Sequence, residues 1–221
     1  MTNEEILKHI DHTLLKATSS YNEIKALCEE AVQFKTAAVC IPPSYVKRVY
    51  EEYKSNLIIA TVIGFPLGYN ITAVKITETE LAIKHGASEI DMVVNIGDIK
   101  NGNYDHVLEE IKLIKKACGE KILKVIIETC YLTEDEKIRL CNIVTEAKAD
   151  YIKTSTGFGT SGAALADIKL FKEHIGKAVK IKAAGGVKTR EDLETFIAAG
   201  AERIGTSSAV KLLTGGSAAG Y

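Results

Sequence analysis

Short apolar runs alternate with amphipathic stretches along nearly the whole chain. The runs are 37–42 (AAVCIP), 57–65 (LIIATVIGF), 89–94 (EIDMVV), 122–128 (ILKVIIE), 151–156 (YIKTST), 179–185 (VKIKAAG) and 203–207 (RIGTS). Bounded by Gly, Pro or helix starts, they predict buried strands of a parallel sheet. An eighth, weaker strand is predicted at 11–15 (DHTLL), ahead of the first long helix. Between the runs the period changes to that of a helix. In 23–34, Ile24, Leu27, Cys28, Ala31 and Val32 fall on one face. In 72–85 the apolar set is Val74, Ile76, Leu81 and Ala82, with Gly86 as a C-terminal stop. Thr133 with Glu136, and Thr189 with Asp192, have capping-box spacing. The first precedes Ile138, Leu140, Cys141 and Val144; the second precedes Leu193, Phe196 and Ile197.

Eight strand–helix units fit between Asp11 and Leu213 at about 25 residues each, which predicts an α/β fold, the (β/α)8 TIM barrel. Residues 3–10 predict a short extra N-terminal helix over the barrel bottom. No linker or charge block breaks the alternation. One domain over 1–221 is therefore expected, with 214–221 (TGGSAAGY) a flexible C-terminal tail. The alternative is an open doubly wound sheet, which normally has fewer strands.

Composition narrows the partners. Of 221 residues, 46% are hydrophobic and 26% charged, the mixture of a globular protein rather than a disordered one. Lys plus Arg number 28 and Asp plus Glu 29, so there is no basic footprint, and neither nucleic acid nor membrane is an expected partner. Cys28, Cys40, Cys118, Cys130 and Cys141 are scattered and form no CxxC pair, which reads as reduced thiols. The N-terminus lacks an apolar signal region, and no apolar run approaches the roughly 20 residues that span a bilayer. A cytoplasmic protein is expected. His9, His12, His85, His106 and His174 form no HxH or HExxH cluster, and no GxxxxGK[ST] is present. Neither a catalytic metal nor a P-loop is expected.

The anomaly is charge inside the predicted strands. Lys124, Lys153 and Lys182 each sit within an apolar run, with Lys180 two residues before Lys182, and Asp91 sits in the run at 89–94. Lysine is almost never buried without a partner. Neighbouring strands stand about 4.8 Å apart, so three such amines converge if their strands are consecutive. A lysine desolvated beside another cation loses its proton more easily, and the free amine adds to carbonyls to form a Schiff base. The bland alternative is one structural ion pair with Asp91 while the other lysines extend to the strand ends. Two glycine segments follow the seventh and eighth strands, AAGGVKT at 183–189 and GTSS at 205–208. In such barrels these loops often hold phosphate on backbone N–H groups. Gly185 and Gly186 allow close approach of an anion, and Ser207 and Ser208 add donors at the start of the last helix. TSTGFG at 154–159 adds hydroxyls near Lys153.

The blocks DHTLL, VCIPP (39–43), IGFPLG (63–68), EIDMVVNIG (89–97), LKVIIET (123–129), ADYIKTSTGF (149–158), IKAAGGVKT (181–189) and RIGTSS (203–208) together resemble the deoxyribose-phosphate aldolases, in order and over nearly the whole chain. The resemblance implies a class I aldolase without a cofactor. It would reversibly cleave 2-deoxy-D-ribose 5-phosphate into D-glyceraldehyde 3-phosphate and acetaldehyde, in deoxyribonucleotide catabolism. It implies that Lys153 forms the Schiff base, that Lys182 is the cation lowering its pKa, and that Asp91 moves protons. Lys124 and Asp11 correspond to polar active-site residues. Thr13, Cys40, Thr156, Gly157, Gly185, Gly186, Gly205, Ser207 and Ser208 are the substrate-binding candidates, and Tyr221 is a candidate proton donor. Some relatives carry a basic residue where Phe158 stands and an arginine where Lys188 stands. A homo-oligomer, dimer or tetramer, is implied. Another Schiff-base aldolase, or a phosphate-binding barrel isomerase or synthase, are the alternatives.

Overall fold

In the computed structural model, which describes residues 1–215, the apolar runs pair side by side in chain order. The strands are β1 (Ile10–Thr13), β2 (Ala38–Ile41), β3 (Ile59–Ile63), β4 (Glu89–Val93), β5 (Ile122–Ile126), β6 (Tyr151–Lys153), β7 (Lys180–Ala184) and β8 (Arg203–Thr206). All pairings are parallel, and β1 closes on β8 with Asp11 opposite Gly205. This is the closed (β/α)8 barrel that the sequence predicts, and the weak eighth strand is a full member of it.

The helices among the described residues are α1 (Asn3–Leu7), α2 (Tyr21–Phe34), α3 (Pro43–Tyr53), α4 (Thr72–Lys84), α5 (Ile96–Lys100), α6 (Tyr104–Cys118), α7 (Glu134–Glu146), α8 (Leu165–His174), α9 (Arg190–Ala199) and α10 (Ala209–Leu213). Ser20, Thr133 and Thr189 each cap a helix through a reciprocal bond with the residue three positions on. Such a cap contributes about 1 kcal/mol. Strand side chains that face outward, among them Ile59, Ile90, Leu123, Ile152 and Ile204, are fully buried under the helices. Each stabilises the barrel by roughly 1.5–3 kcal/mol. The inward face carries the charged residues, beside a small apolar group of Leu15, Cys40, Ala60 and Val62.

Two helix faces depart from the sequence pattern. Val32 at the end of the α2 stripe is exposed. In α4, Val74 and Leu81 are exposed, while Lys75, Thr79 and Ala82 face inward. The reason is an ion pair: Lys75 Nζ lies 2.8 Å from Glu110 Oε2 of α6 and donates to the Val93 carbonyl at 2.9 Å. A paired lysine occupies a buried helix position that apolar counting cannot assign to the core.

The extra N-terminal helix is present but shorter than 3–10, because the chain enters β1 at Ile10. Asn3 Nδ2 donates to the Leu213 carbonyl at 2.8 Å, which ties α1 to α10. Of the predicted tail, Thr214 still continues the α10 bonding through its N–H to Val210 O. The rest of it, from 216 to Tyr221, lies outside the described residues. Among the described residues no helix is long and apolar enough to cross a membrane.

Candidate active site

Alternation along a strand places residues two apart on the same face. Asp91 on β4 stands opposite Lys124 on β5, and Lys153 on β6 stands opposite Lys182 on β7. Lys182 in turn faces Arg203 on β8. The three lysines and two aspartates singled out in the sequence meet inside the barrel. Lys153 Nζ donates to Asp91 Oδ2 at 2.7 Å. Lys182 Nζ donates to the same oxygen at 2.7 Å and to Asp11 Oδ2 at 2.5 Å. Lys124 Nζ donates to Asp91 Oδ1 at 2.8 Å and lies 3.4 Å from Asp11 Oδ2.

All five are buried, and Lys153 is the only one with measurable exposure, at 2%. All three amines turn inward onto Asp91, where the alternative had one lysine paired and the others reaching out to the strand ends. Lys180 does reach out: it is exposed at the start of β7, 3.5 Å from Glu202.

Burial and charge act in opposition across the cluster. Burial pushes Asp91 up, but Lys124, Lys153 and Lys182 outweigh it and hold the carboxyl well below the usual range. Asp11 is held low in the same way by Lys124, Lys182 and Arg203. Burial pushes the Lys182 amine down, yet Asp11 and Asp91 raise it above its ordinary value. Lys153 differs. Burial is again the largest influence and pushes it down, the Lys182 charge adds to that, and Asp91 offsets only part. The amine nearest the open end is thus the one displaced toward its neutral form. The family resemblance assigns the lowering to the Lys182 cation; desolvation is the larger cause.

Two further charges belong to the cluster and were not singled out in the sequence. Glu89 Oε2 lies 2.5 Å from Lys124 Nζ, and its other oxygen accepts from Arg203 Nη2 at 2.9 Å. Arg203 also donates to Asp11 Oδ1. Each sits two residues before a recognised position, Asp91 and Gly205, on the same strand face. That spacing was the available signal. With these two included, four cations face three carboxylates, and the charges cancel when Lys153 is neutral.

Above the cluster, at the C-terminal ends of β6–β8, lies a cleft of about 580 Å³. Gly157, Gly185, Gly186, Gly205, Ser207 and Ser208 line it, together with Lys188. Gly205 joins cleft to cluster: a Cβ there would stand 3.2 Å from Lys182 Cε. Gly185 and Gly186 have φ of +71° and +76°, which glycine adopts without strain. The Ser208 N–H is engaged with Thr206 Oγ1 at 3.1 Å. Two loops close one wall by direct backbone contact. A Cβ on Gly162 would meet the Gly185 carbonyl carbon at 2.4 Å.

The remaining candidates are not among the residues that line this cleft. Thr13 Oγ1 donates to the Asp11 carbonyl at 2.6 Å. Cys40 is fully buried in an apolar group with Leu15, Ala60 and Val62, and burial pushes its thiol up to about 11. Thr156 borders a smaller pocket of about 220 Å³, and both its N–H and its hydroxyl donate to Glu128. Glu128 itself, buried and with a left-handed backbone (φ 52°), was also missed in the sequence. It follows Lys124 by four positions at the end of β5. Tyr221 lies outside the described residues.

The sequence model for the DeoC/LacD family aldolases matches residues 6–218. A relative named deoxyribose-phosphate aldolase in Clostridium botulinum (strain Alaska E43 / Type E3) is 61% identical over 221 residues, all of both chains. Another of that name in Clostridioides difficile (strain 630) is 64% identical over 210 residues, 95% of this chain and 96% of that one. Among solved structures, an aldolase designated QR15 superposes with a TM-score of 0.91 at 39% identity, covering 95% of both chains. The tetrameric deoxyribose phosphate aldolase of Aeropyrum pernix gives 0.88 at 28% identity, covering 96% of this chain and 91% of that one.

Proposed function

The chain belongs to the DeoC/LacD family of aldolases, and from that premise and the buried cluster we infer that it is a class I deoxyribose-phosphate aldolase. It cleaves 2-deoxy-D-ribose 5-phosphate reversibly to D-glyceraldehyde 3-phosphate and acetaldehyde. The observation that carries the assignment of residues is the buried Lys153 amine, displaced toward neutrality and 2.7 Å from Asp91.

In this mechanism the neutral Lys153 amine attacks the C1 aldehyde of the open-chain sugar. The carbinolamine loses water and becomes a protonated imine. The new cation forms against Asp91 Oδ2, the oxygen that already accepts from the Lys153 and Lys182 amines. A base removes the C3 hydroxyl proton, the C2–C3 bond breaks, and its electron pair moves into the imine. Glyceraldehyde 3-phosphate leaves and an enamine remains on Lys153. A proton is returned to C2, and water hydrolyses the imine to release acetaldehyde and the free amine. Asp91 carries these protons through water, with Lys124 and Asp11 holding the relay. Such a positioned group contributes about 10²–10⁴-fold.

The 580 Å³ cleft holds the phosphate against backbone N–H groups and Lys188, a point charge without the paired donors of an arginine. Binding energy gathered there fixes C1 against Lys153. Tyr221 remains a candidate donor of the C2 proton. In this reading the enzyme works as a homo-oligomer. Exposed Leu67, Tyr69, Ile71, Val74 and Leu81, close in sequence on the β3–α4 loop and α4, supply apolar surface of the kind subunit contacts use.

The test is incubation with 2-deoxyribose 5-phosphate, with product analysis and borohydride trapping. Both aldehydes should form, and a reduced adduct should map to Lys153. An adduct without acetaldehyde would indicate a Schiff-base aldolase with another donor. No adduct would favour an isomerase or synthase.

Gly162→Ala tests the phosphate assignment. The added methyl strikes the Gly185 backbone and displaces the loop. kcat/KM for the phosphorylated sugar should fall roughly 10- to 100-fold, the scale of a 1 Å misplacement. Activity on unphosphorylated 2-deoxyribose should be nearly unchanged. Equal losses on both substrates would remove the phosphate from this cleft.

A further inference from the structure

The mechanism uses the charges that face the substrate and leaves two unexplained. Arg203 and Glu89 lie on the N-terminal side of the cluster, at the starts of β8 and β4. Both are almost enclosed, with side-chain exposures of 12% and 2%. Fixed charge at such depth costs several kcal/mol per ion unless it is paired, and an apolar pair of similar volume is often at least as stable. Stability alone is therefore a weak reason for charge here.

The contacts suggest a different reason. Arg203 Nη2 donates to Glu89 Oε1 at 2.9 Å, and Nη1 donates to Asp11 and, at 3.2 Å, to Glu89 Oε2. Its guanidinium also lies 6.0 Å from the Tyr151 ring centroid. Glu89 in turn holds Lys124, and Asp11 holds Lys182. Both chains of contact end on Asp91, the partner of Lys153.

We propose that Arg203 and Glu89 are positioning residues for the aldolase reaction: they hold Asp11 and Lys124 from below and set the charge balance around the Lys153 amine. The proposal rests on the Schiff-base reading. The groups facing Lys153 are Asp91 from β4, Lys182 from β7, Cys40 from β2 and, at the end of β5, Glu128. Those facing the lower pair are Asp11 from β1, Lys124 from β5 and Tyr151 from β6. Arginine keeps its charge at every working pH. It is therefore a constant in the balance.

Arg203→Met makes the cluster more negative, so it favours the Lys153 ammonium. The acid limb of the kcat/KM–pH profile should move up by about one pH unit, with activity returning at high pH. Glu89→Gln makes the cluster more positive and should move the same limb down by a similar amount. Arg203→Lys keeps the charge and should leave the limb near its wild-type position. The double variant E89Q/R203M should return toward wild type. Should Arg203→Met fail to fold, Glu89→Gln and Arg203→Lys still test the signs. Limbs that move together, stay in place, or show one pH-independent loss would overturn the proposal. Borohydride trapping of wild type separates the two failures. If wild type gives no adduct on Lys153, the Schiff-base reading itself fails; if it does and the limbs disobey these signs, only the role of Arg203 and Glu89 is lost.

Discussion

Lys153→Met is expected to abolish the borohydride adduct and to lower kcat by roughly 10⁴–10⁶-fold, the scale on which enzymes lose activity when a covalent nucleophile is removed. Methionine is near in length to lysine and carries no charge, so the buried space stays filled. Asp91 keeps two of its cations, Lys124 and Lys182, each within 2.8 Å. The loss should therefore be chemical rather than structural. Circular dichroism and the melting curve should stay close to wild type while mass spectrometry finds no reduced adduct. Trapping that persists in the variant at another lysine would overturn the assignment. The sharpest rival is Lys182, one strand away, but its amine sits against two carboxylates and is raised above its ordinary pKa. It stays an ammonium, with no free pair to offer a carbonyl.

What the sequence revealed and what it concealed follow from one physical difference. Strands of a parallel barrel are buried on their outer face by helices, so they read as apolar runs. Against that background Lys124, Lys153 and Lys182 stand out, because charge in the middle of such a run has no ordinary explanation. Glu89 and Arg203 are as deeply involved, but each begins its run. At an edge a charge looks like the last polar residue of a turn. Only the two-residue step to Asp91 and Gly205 marks them, and that step carries weight once the strand limits are known. Glu128 closes its run in the same inconspicuous way. Helix α4 shows the converse error. Its apolar residues Val74 and Leu81 point outward, and the position that packs inward is Lys75, made acceptable by Glu110 from a helix 35 residues away. Periodicity registers what a residue prefers alone and has no access to a partner distant in sequence. The same limit applies to Thr156. Its neighbours suggest a hydroxyl free for substrate, whereas in the fold that hydroxyl donates a hydrogen bond to Glu128.

Lys182→Met should show how much of the activity depends on a charge that never bonds to substrate. The Lys182 amine is fully buried and bridges Asp11 at 2.5 Å and Asp91 at 2.7 Å. Without it the two carboxylates confront each other with less compensation, and breaking a buried pair in this way costs about 3–5 kcal/mol of stability. The consequence at Lys153 has a definite sign. A cation that pushed the amine toward neutrality is gone, and Asp91 is freed to favour the ammonium. The nucleophilic form becomes scarce at neutral pH. Turnover there should fall by about 10²–10⁴-fold, and part of the loss should return as pH is raised. Lys182→Arg restores a fixed positive charge, so it should recover more activity at neutral pH than methionine does, limited by the bulk of the guanidinium. The measurement is kcat/KM against pH for the three proteins, beside the yield of trapped adduct at each pH. Equal adduct yields at neutral pH in wild type and Lys182→Met would mean that burial alone keeps Lys153 reactive, and the ammonium on β7 would then have no part in activating it.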